Sequence, residues 1–350
     1  MANSISKIFS DKYACLITDR ISRKYFSGID VEEGIFLLSK TPLYFADARY
    51  FSMVKDMLKD SGITPILLEG LDTVKVCLRR QKIKKLFVDF ERTLYSDYLS
   101  YKKFGVKLLD GSGELKKFRS VKTQEEIENI KTACSIVEKA FYKTLEKVKK
   151  GISEKELCEI LKGNIIAFGG EGESFNSIVA FSKNSAIPHH VTGDTVLEDN
   201  SVILIDTGCK YKGYCSDFTR TVFFGTPSSE FLVVYDAVLK ANELAISNIK
   251  EGLSGKECDS IARNFLAIKK LDGFFTHSLG HGVGLEIHES PYLSKKSSEK
   301  IAENNVFTIE PGVYMDGKFG VRIEDTVVLK DGKVERLFSD SKELITIENK

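Results

Sequence analysis

The 350-residue sequence predicts an α/β N-terminal domain followed by an α+β domain built from two similar halves. Short apolar runs alternate with helix-like stretches over roughly the first 110 residues, and the periodicity turns helical beyond residue 120. A block starting at residue 151 then recurs at residue 252. The length allows two domains with a core each.

In chain order, YACLIT (13–18), GIFLLS (34–39), PLYFAD (42–47), TPILLE (64–69) and KKLFVDF (84–90) read as strands of a first domain over residues 1–118. Asp110-Gly-Ser-Gly113 reads as its closing linker. Thr123 and Glu126 then form a capping box. Ile127, Ile130, Ala133, Cys134, Val137, Ala140, Phe141, Leu145 and Val148 follow at helical spacing, so a long amphipathic helix opens a second domain over residues 119–350.

Within that domain GISEKELCEI (151–160) matches GLSGKECDSI (252–261), each with a capping box, Ser153 with Glu156 and Ser254 with Glu257. DNSVILIDTG (199–208) matches ENNVFTIEPG (303–312), which aligns Asp206 with Glu310; a slightly larger offset aligns Asp217 with Glu324 and Thr219 with Thr326. Two helix-plus-strand halves would each give two carboxylates to one site on a pseudo-twofold axis.

The basic and acidic residues number 51 and 50, so no global field favours nucleic acid or an anionic membrane. Seven cysteines, odd in number and without a CxxC pair, suit a reducing cytoplasm. The segment MANSISKIFSDKY lacks the apolar core of a signal peptide, and no apolar run approaches the ~20 residues that span a bilayer.

The chemistry concentrates in VILIDTG (202–208), SDFTRT (216–221), HSLGHGVGLEIHE (277–289), FTIEPGVY (307–314) and FGVRIEDT (319–326). Asp206, Asp217, Glu310 and Glu324 each sit in or beside a run that reads as a buried strand. Carboxylates are rarely buried unless paired or holding a cation, and several sharing one core repel each other. With His281 they make a hard, oxygen-rich donor set suited to Mn²⁺, Fe²⁺ or Co²⁺, with charge enough for two ions and Asp217 and Glu324 as bridges. Taken singly, each signal is weaker. Asp206 before Thr-Gly reads as a turn residue, and Arg322 as a structural partner of a carboxylate. The spacing of His277 and His281 suggests a helical zinc pair, which Gly280, Gly282 and Gly284 argue against. Cys209 and Cys215 read as packing residues.

Together these segments resemble the M24 metallopeptidases of pita-bread fold, in the proline-directed branch of Xaa-Pro dipeptidases (prolidases) and Xaa-Pro aminopeptidases. LYFADARY (43–50) is similar to that family's N-terminal domain, and the five ligand positions match in order and local context. The resemblance implies that Asp206 binds one ion, Asp217 and Glu324 bridge two, and His281 and Glu310 complete the second, with Mn²⁺ expected and Co²⁺, Fe²⁺ or Zn²⁺ as alternatives. A hydroxide between the ions would attack the carbonyl preceding proline, with Glu310 passing its proton to the leaving nitrogen. His189, in IPHHV (187–191), would position substrate, with His190 a neighbour of no evident role. His277, His288 and Arg322 complete the expected catalytic set. Short proline-containing peptides are the implied substrates and a cytoplasmic homodimer the implied form, with no nucleic-acid or membrane partner. A methionine aminopeptidase shares the ligands but resembles only the second domain. A metal-free creatinase-like hydrolase, or a non-catalytic pita-bread peptide-binding module, would not retain all five.

Overall fold

The apolar runs at the start of the chain form one mixed sheet, with helices between its strands. In this computed structural model, which describes residues 12–348, the elements are Tyr13–Ile17 (β1), Arg20–Ser27 (α1), Ile35–Leu38 (β2), Leu43–Ala46 (β3), Phe51–Met57 (α2), Thr64–Leu67 (β4), Leu71–Arg80 (α3), Lys85–Val88 (β5), Tyr95–Tyr101 (α4), Lys107–Asp110 (β6) and Ser112–Ser120 (α5). The strand order is β4-β3-β2-β1-β5-β6. Cys15 and Ile17 enter one apolar cluster while Ala14 and Leu16 enter another. A sheet buried on both faces explains why β1 and β2 read as continuous apolar runs rather than alternating ones. Residues 1–11, which carry most of the segment read as lacking a signal-peptide core, lie outside the described residues.

The linker expectation fails. Asp110 ends β6, and its Oδ1 accepts from Ser112 N at 2.9 Å, so the Asp-Gly-Ser-Gly segment is a strand-to-helix turn. The chain divides between Arg119 and Ser120 instead.

In the second unit the elements are Gln124–Leu145 (α6), Glu154–Ala167 (α7), Gly172–Glu173 (β7), Ile178–Phe181 (β8), Ser201–Thr207 (β9), Cys209–Tyr211 (β10), Tyr214–Cys215 (β11), Phe218–Phe224 (β12), Ser229–Asn248 (α8), Gly255–Ile268 (α9), Gly280–Gly282 (β13), Glu289–Leu293 (β14), Val306–Ile309 (β15), Gly312–Met315 (β16), Phe319–Arg322 (β17), Glu324–Lys330 (β18), Lys333–Arg336 (β19) and Thr346–Ile347 (β20). The capping boxes of Thr123, Ser153 and Ser254 form as their sequences require.

The main sheet runs β14-β13-β15-β18-β12-β9-β8. Helices α6 and α7 share one apolar cluster with Ile203, Ile205 and Val222, and α8 and α9 another with Phe307, Ile309 and Val327; each cluster also draws strand residues from the other half, Val306 and Val328 in the first and Val202 and Phe223 in the second. The repeat extends to single hydrogen bonds. Gly151 N donates to Leu197 O, and Gly252 N to Ile301 O, both at 2.8 Å. The two hairpins nevertheless differ in register: Asp206 pairs with Thr219 in one, while Thr308, two residues before Glu310, pairs with Thr326 in the other. Glu310 therefore falls just past β15, whereas Asp206 stays within β9. No helix among the described residues is long and apolar enough to cross a membrane.

Candidate metal centre

The register of the central strands builds the site. Thr219 of β12 pairs with Asp206 of β9 on one side and Glu324 of β18 on the other, and directly paired residues share a face. Two residues earlier, and so on the same face, Asp217 precedes β12; its backbone N–H donates to Thr326 Oγ1 at 3.2 Å. His281 comes from β13, where its N–H donates to Thr308 Oγ1 at 3.1 Å. A Cβ on Gly280 would lie 2.0 Å from Thr308 O, so only glycine lets β13 approach β15 this closely.

All five expected ligands, with His189, His277, His288 and Arg322, line one cavity of about 290 Å³. One oxygen or nitrogen each from Asp217, His281 and Glu324 falls within 4.8 Å of the others. His281 Nε2 is 3.5 Å from Asp217 Oδ2 and 3.4 Å from Glu310 Oε1. Its Nδ1 lies 3.1 Å from Gly282 O and donates to it, which leaves the Nε2 lone pair facing the carboxylates.

Electrostatics mark the same atoms. Burial, then repulsion from Glu324, Asp206 and Glu310, pushes Asp217 well above the usual carboxylate range. Glu324 is raised in the same direction by burial, Glu310 and Asp206, and Glu310 is pushed up to about 8, chiefly by burial. Burial also lowers His281 to about 3, the neutral form a metal ligand needs. Asp206 Oδ1 is buried with no hydrogen-bond partner. Crowded carboxylates, a neutral imidazole with its lone pair turned inward and an unpartnered buried oxygen fit a divalent-cation site.

Asp206 Oδ2 is held by Arg322 Nη2 at 2.5 Å. Arg322 Nη1 donates to Tyr314 Oη at 2.7 Å, and Tyr314 Oη is 2.8 Å from His277 Nε2. Since His277 Nδ1 lies 2.8 Å from Ser278 O and donates to it, Nε2 accepts the tyrosine proton. Burial, then the Arg322 charge, lowers His277 to about 3 and keeps it neutral. His277 Nδ1 is also 3.7 Å from Glu310 Oε2, so a polar chain runs from Asp206 through Arg322, Tyr314 and His277 to Glu310. Tyr314 escaped the sequence reading, although FTIEPGVY ends on it; its position four residues after Glu310 was the available signal.

His288 stands edge-on to His281 with ring centroids 4.2 Å apart. His189 lines the cavity, but its neighbour His190 turns away and meets Glu154 Oε2 at 2.8 Å. Phe175, Ile178, Pro188, Ile287 and Tyr292 form an apolar wall. Burial pushes the Cys209 and Cys215 thiols up to about 12 each, so neither offers a thiolate at neutral pH.

The model of metallopeptidase family M24 matches residues 128–331, and that of the Creatinase/Prolidase N-terminal domain matches residues 12–121. An Xaa-Pro dipeptidase of Pyrococcus furiosus is 34 % identical over 350 residues, covering 98 % of this chain and 96 % of the relative. Among solved structures, an Xaa-Pro dipeptidase from Bacillus anthracis superposes with a TM-score of 0.91 at 34 % identity, covering 95 % of each chain. An X-Pro aminopeptidase from Thermotoga maritima superposes with a TM-score of 0.89 at 37 % identity, covering 98 % of this chain and 100 % of the other.

Proposed function

The chain belongs to metallopeptidase family M24, and we propose that it hydrolyses the peptide bond preceding proline in short peptides, using divalent ions held by Asp206, Asp217, His281, Glu310 and Glu324. The observation that carries this reading is the convergence of these side chains, uncompensated in charge, beside an apolar wall in one cavity. Bound there, the ions would supply Lewis acidity, lowering the pKa of water toward neutrality and polarising the scissile carbonyl.

The chain's own residues do the rest. Glu310 takes the proton of the attacking water and delivers it to the departing proline nitrogen; its Oε1 accepts from Thr308 Oγ1 at 3.2 Å, which orients the carboxylate. Arg322 fixes Asp206, and Tyr314 ties Arg322 to His277. His288 flanks the ligand cluster and is placed to donate to the oxygen on which charge develops, while His277, its two nitrogens engaged by Ser278 O and Tyr314 Oη, fixes the wall on the Glu310 side. His189 contacts the substrate, and the apolar wall takes the proline ring, which brings no N–H needing a partner. The hard donor set supports two ions with manganese as the native metal. Seven free cysteines support a cytoplasmic location, and the family resemblance supports a homodimer.

The test is a side-by-side assay of an Xaa-Pro dipeptide, an Xaa-Pro-Xaa tripeptide and their Xaa-Ala counterparts, with metal returned to chelated enzyme. Cleavage confined to the proline substrates is expected, and cleavage of neither proline peptide under any metal would refute the reading. The dipeptide alone being cut marks a dipeptidase; ready cleavage of the tripeptide marks an aminopeptidase.

A further inference from the structure

The 187–193 loop brings Pro188 and His189 to the cavity, yet little apolar packing holds it. Ile187 is 52 % and Val191 85 % exposed. The back of the loop, His190 to Gly193, lines a second, polar cavity of about 470 Å³. With open space on both sides, hydrogen bonds must fix its position. Thr192 Oγ1 accepts from Val179 N at 2.8 Å, and Glu154 N and Lys155 N donate to Thr195 O and Gly193 O at 2.9 Å each.

Arg322 Nη1 reaches Pro188 O at 3.4 Å, and the tie with the most partners is the side chain of Glu154, the first residue of α7, which is fully buried. Its Oε1 accepts from Phe181 N and Asn184 Nδ2, each at 2.8 Å. Its Oε2 accepts from Gly193 N at 3.1 Å and from His190 Nε2 at 2.8 Å. One carboxylate thus joins the end of β8, the turn after it and both sides of the loop. A buried carboxylate is costly without such a set of donors.

The internal repeat supplies a control. Gly255 of α9 occupies the position of Glu154, and the second half docks its matching segment by the same backbone bonds, Gly255 N to Glu299 O at 2.8 Å and Lys256 N to Ser297 O at 2.9 Å. A Cβ on Gly255 would lie 2.0 Å from Tyr292 O, so there the backbone packs directly on the helix. The half that uses a glutamate is the half whose loop carries His189.

We propose that Glu154 and His190 form a latch that positions the 187–193 loop, and through it His189, for substrate. Both are positioning residues. The proposal rests on the site being an Xaa-Pro peptidase.

Kinetics of the metal-loaded enzyme on Xaa-Pro peptides, with hydrogen exchange at the 187–193 amides, test the latch. His190→Leu removes the donor to Glu154 at similar volume, and kcat/KM should fall about 10- to 100-fold, mainly through KM, with metal content unchanged. His190→Gln, whose amide can donate to Glu154, should recover most of the loss. His189→Ala combined with His190→Leu should lose clearly less than the product of the two single losses, because the latch acts mainly through His189, with Pro188 the other loop residue at the cavity. Loop amides should exchange faster in His190→Leu and not in His190→Gln. The latch is overturned if His190→Leu keeps wild-type KM and exchange, or if its loss adds fully to that of His189→Ala. Faster exchange in a protein whose wild type cleaves no Xaa-Pro peptide contradicts the peptidase reading instead.

Discussion

Glu324 and Asp325 are neighbours on β18 and point to opposite faces of the sheet. Behind the site, Asp325 Oδ1 accepts from Arg220 Nη2 at 2.7 Å and Arg336 Nη2 at 2.9 Å, and Lys342 Nζ lies 3.6 Å from Oδ2. Although burial opposes ionisation, these cations hold Asp325 down to about 2. On the cavity face, Glu324 Oε2 accepts from the neutral Thr219 hydroxyl at 2.6 Å, and burial with Glu310 and Asp206 drives it the other way. Arg322 is the one Lys or Arg among the described residues lining the cavity, and Asp206 engages it. One face balances its charge from within the chain, while the other leaves its balance to a bound cation.

Breaking the uncompensated face should have the largest effect. Asp217→Asn should lose metal and activity together, by roughly 10⁴-fold in kcat/KM, since Lewis acidity contributes several kcal/mol to the barrier; metal analysis beside kinetics checks this, and full activity in the variant would refute the assignment. On the compensated face, Asp325→Asn strands buried Arg220 and should cost about 3–5 kcal/mol in chemical denaturation. Unchanged stability there would mean that Asp340 alone neutralises Arg220.

The contrast also predicts an inverted pH dependence for the metal-free protein. Glu310, raised from 4.5 to about 8, contributes stability that is present below its unfolded value and lost as pH rises through its folded one. Thermal melts in chelator should therefore show stability falling across that window, less steeply in Glu310→Gln; a rise would place the carboxylates elsewhere. The smallest effect is expected of Tyr314→Phe. It cuts the link between Arg322 and His277 without touching a ligand, and should lower kcat/KM about tenfold at full metal content.

The sequence was most legible where local chemistry decides structure. Capping boxes at Thr123, Ser153 and Ser254 and the apolar strands β1 to β5 required no tertiary context. The convergence of Asp206, Asp217, Glu310 and Glu324 was legible through the repeat, which exposed an acidic pattern that composition alone hides, and that of His281 through the family resemblance of its segment. Strand β6 was missed because its sequence KLLD offers only two apolar residues between charged ends, and α5 because Asp-Gly-Ser-Gly looks like a linker until Asp110 is seen bonding Ser112. The two-residue register difference that puts Glu310 beyond β15 was invisible, since register is set by pairing across the sheet. Tyr314 and Glu154 act through partners distant in sequence, His277 and His190 respectively, so residue type alone gave no reason to single them out.

The claim that divalent ions complete the acidic face is tested most directly by titrating Mn²⁺ into chelated enzyme while following melting temperature and Xaa-Pro cleavage together. Both should rise in step and level off together, at about two ions per chain if the proposed dinuclear site forms. Undiminished cleavage by enzyme shown to be metal-free would contradict the account.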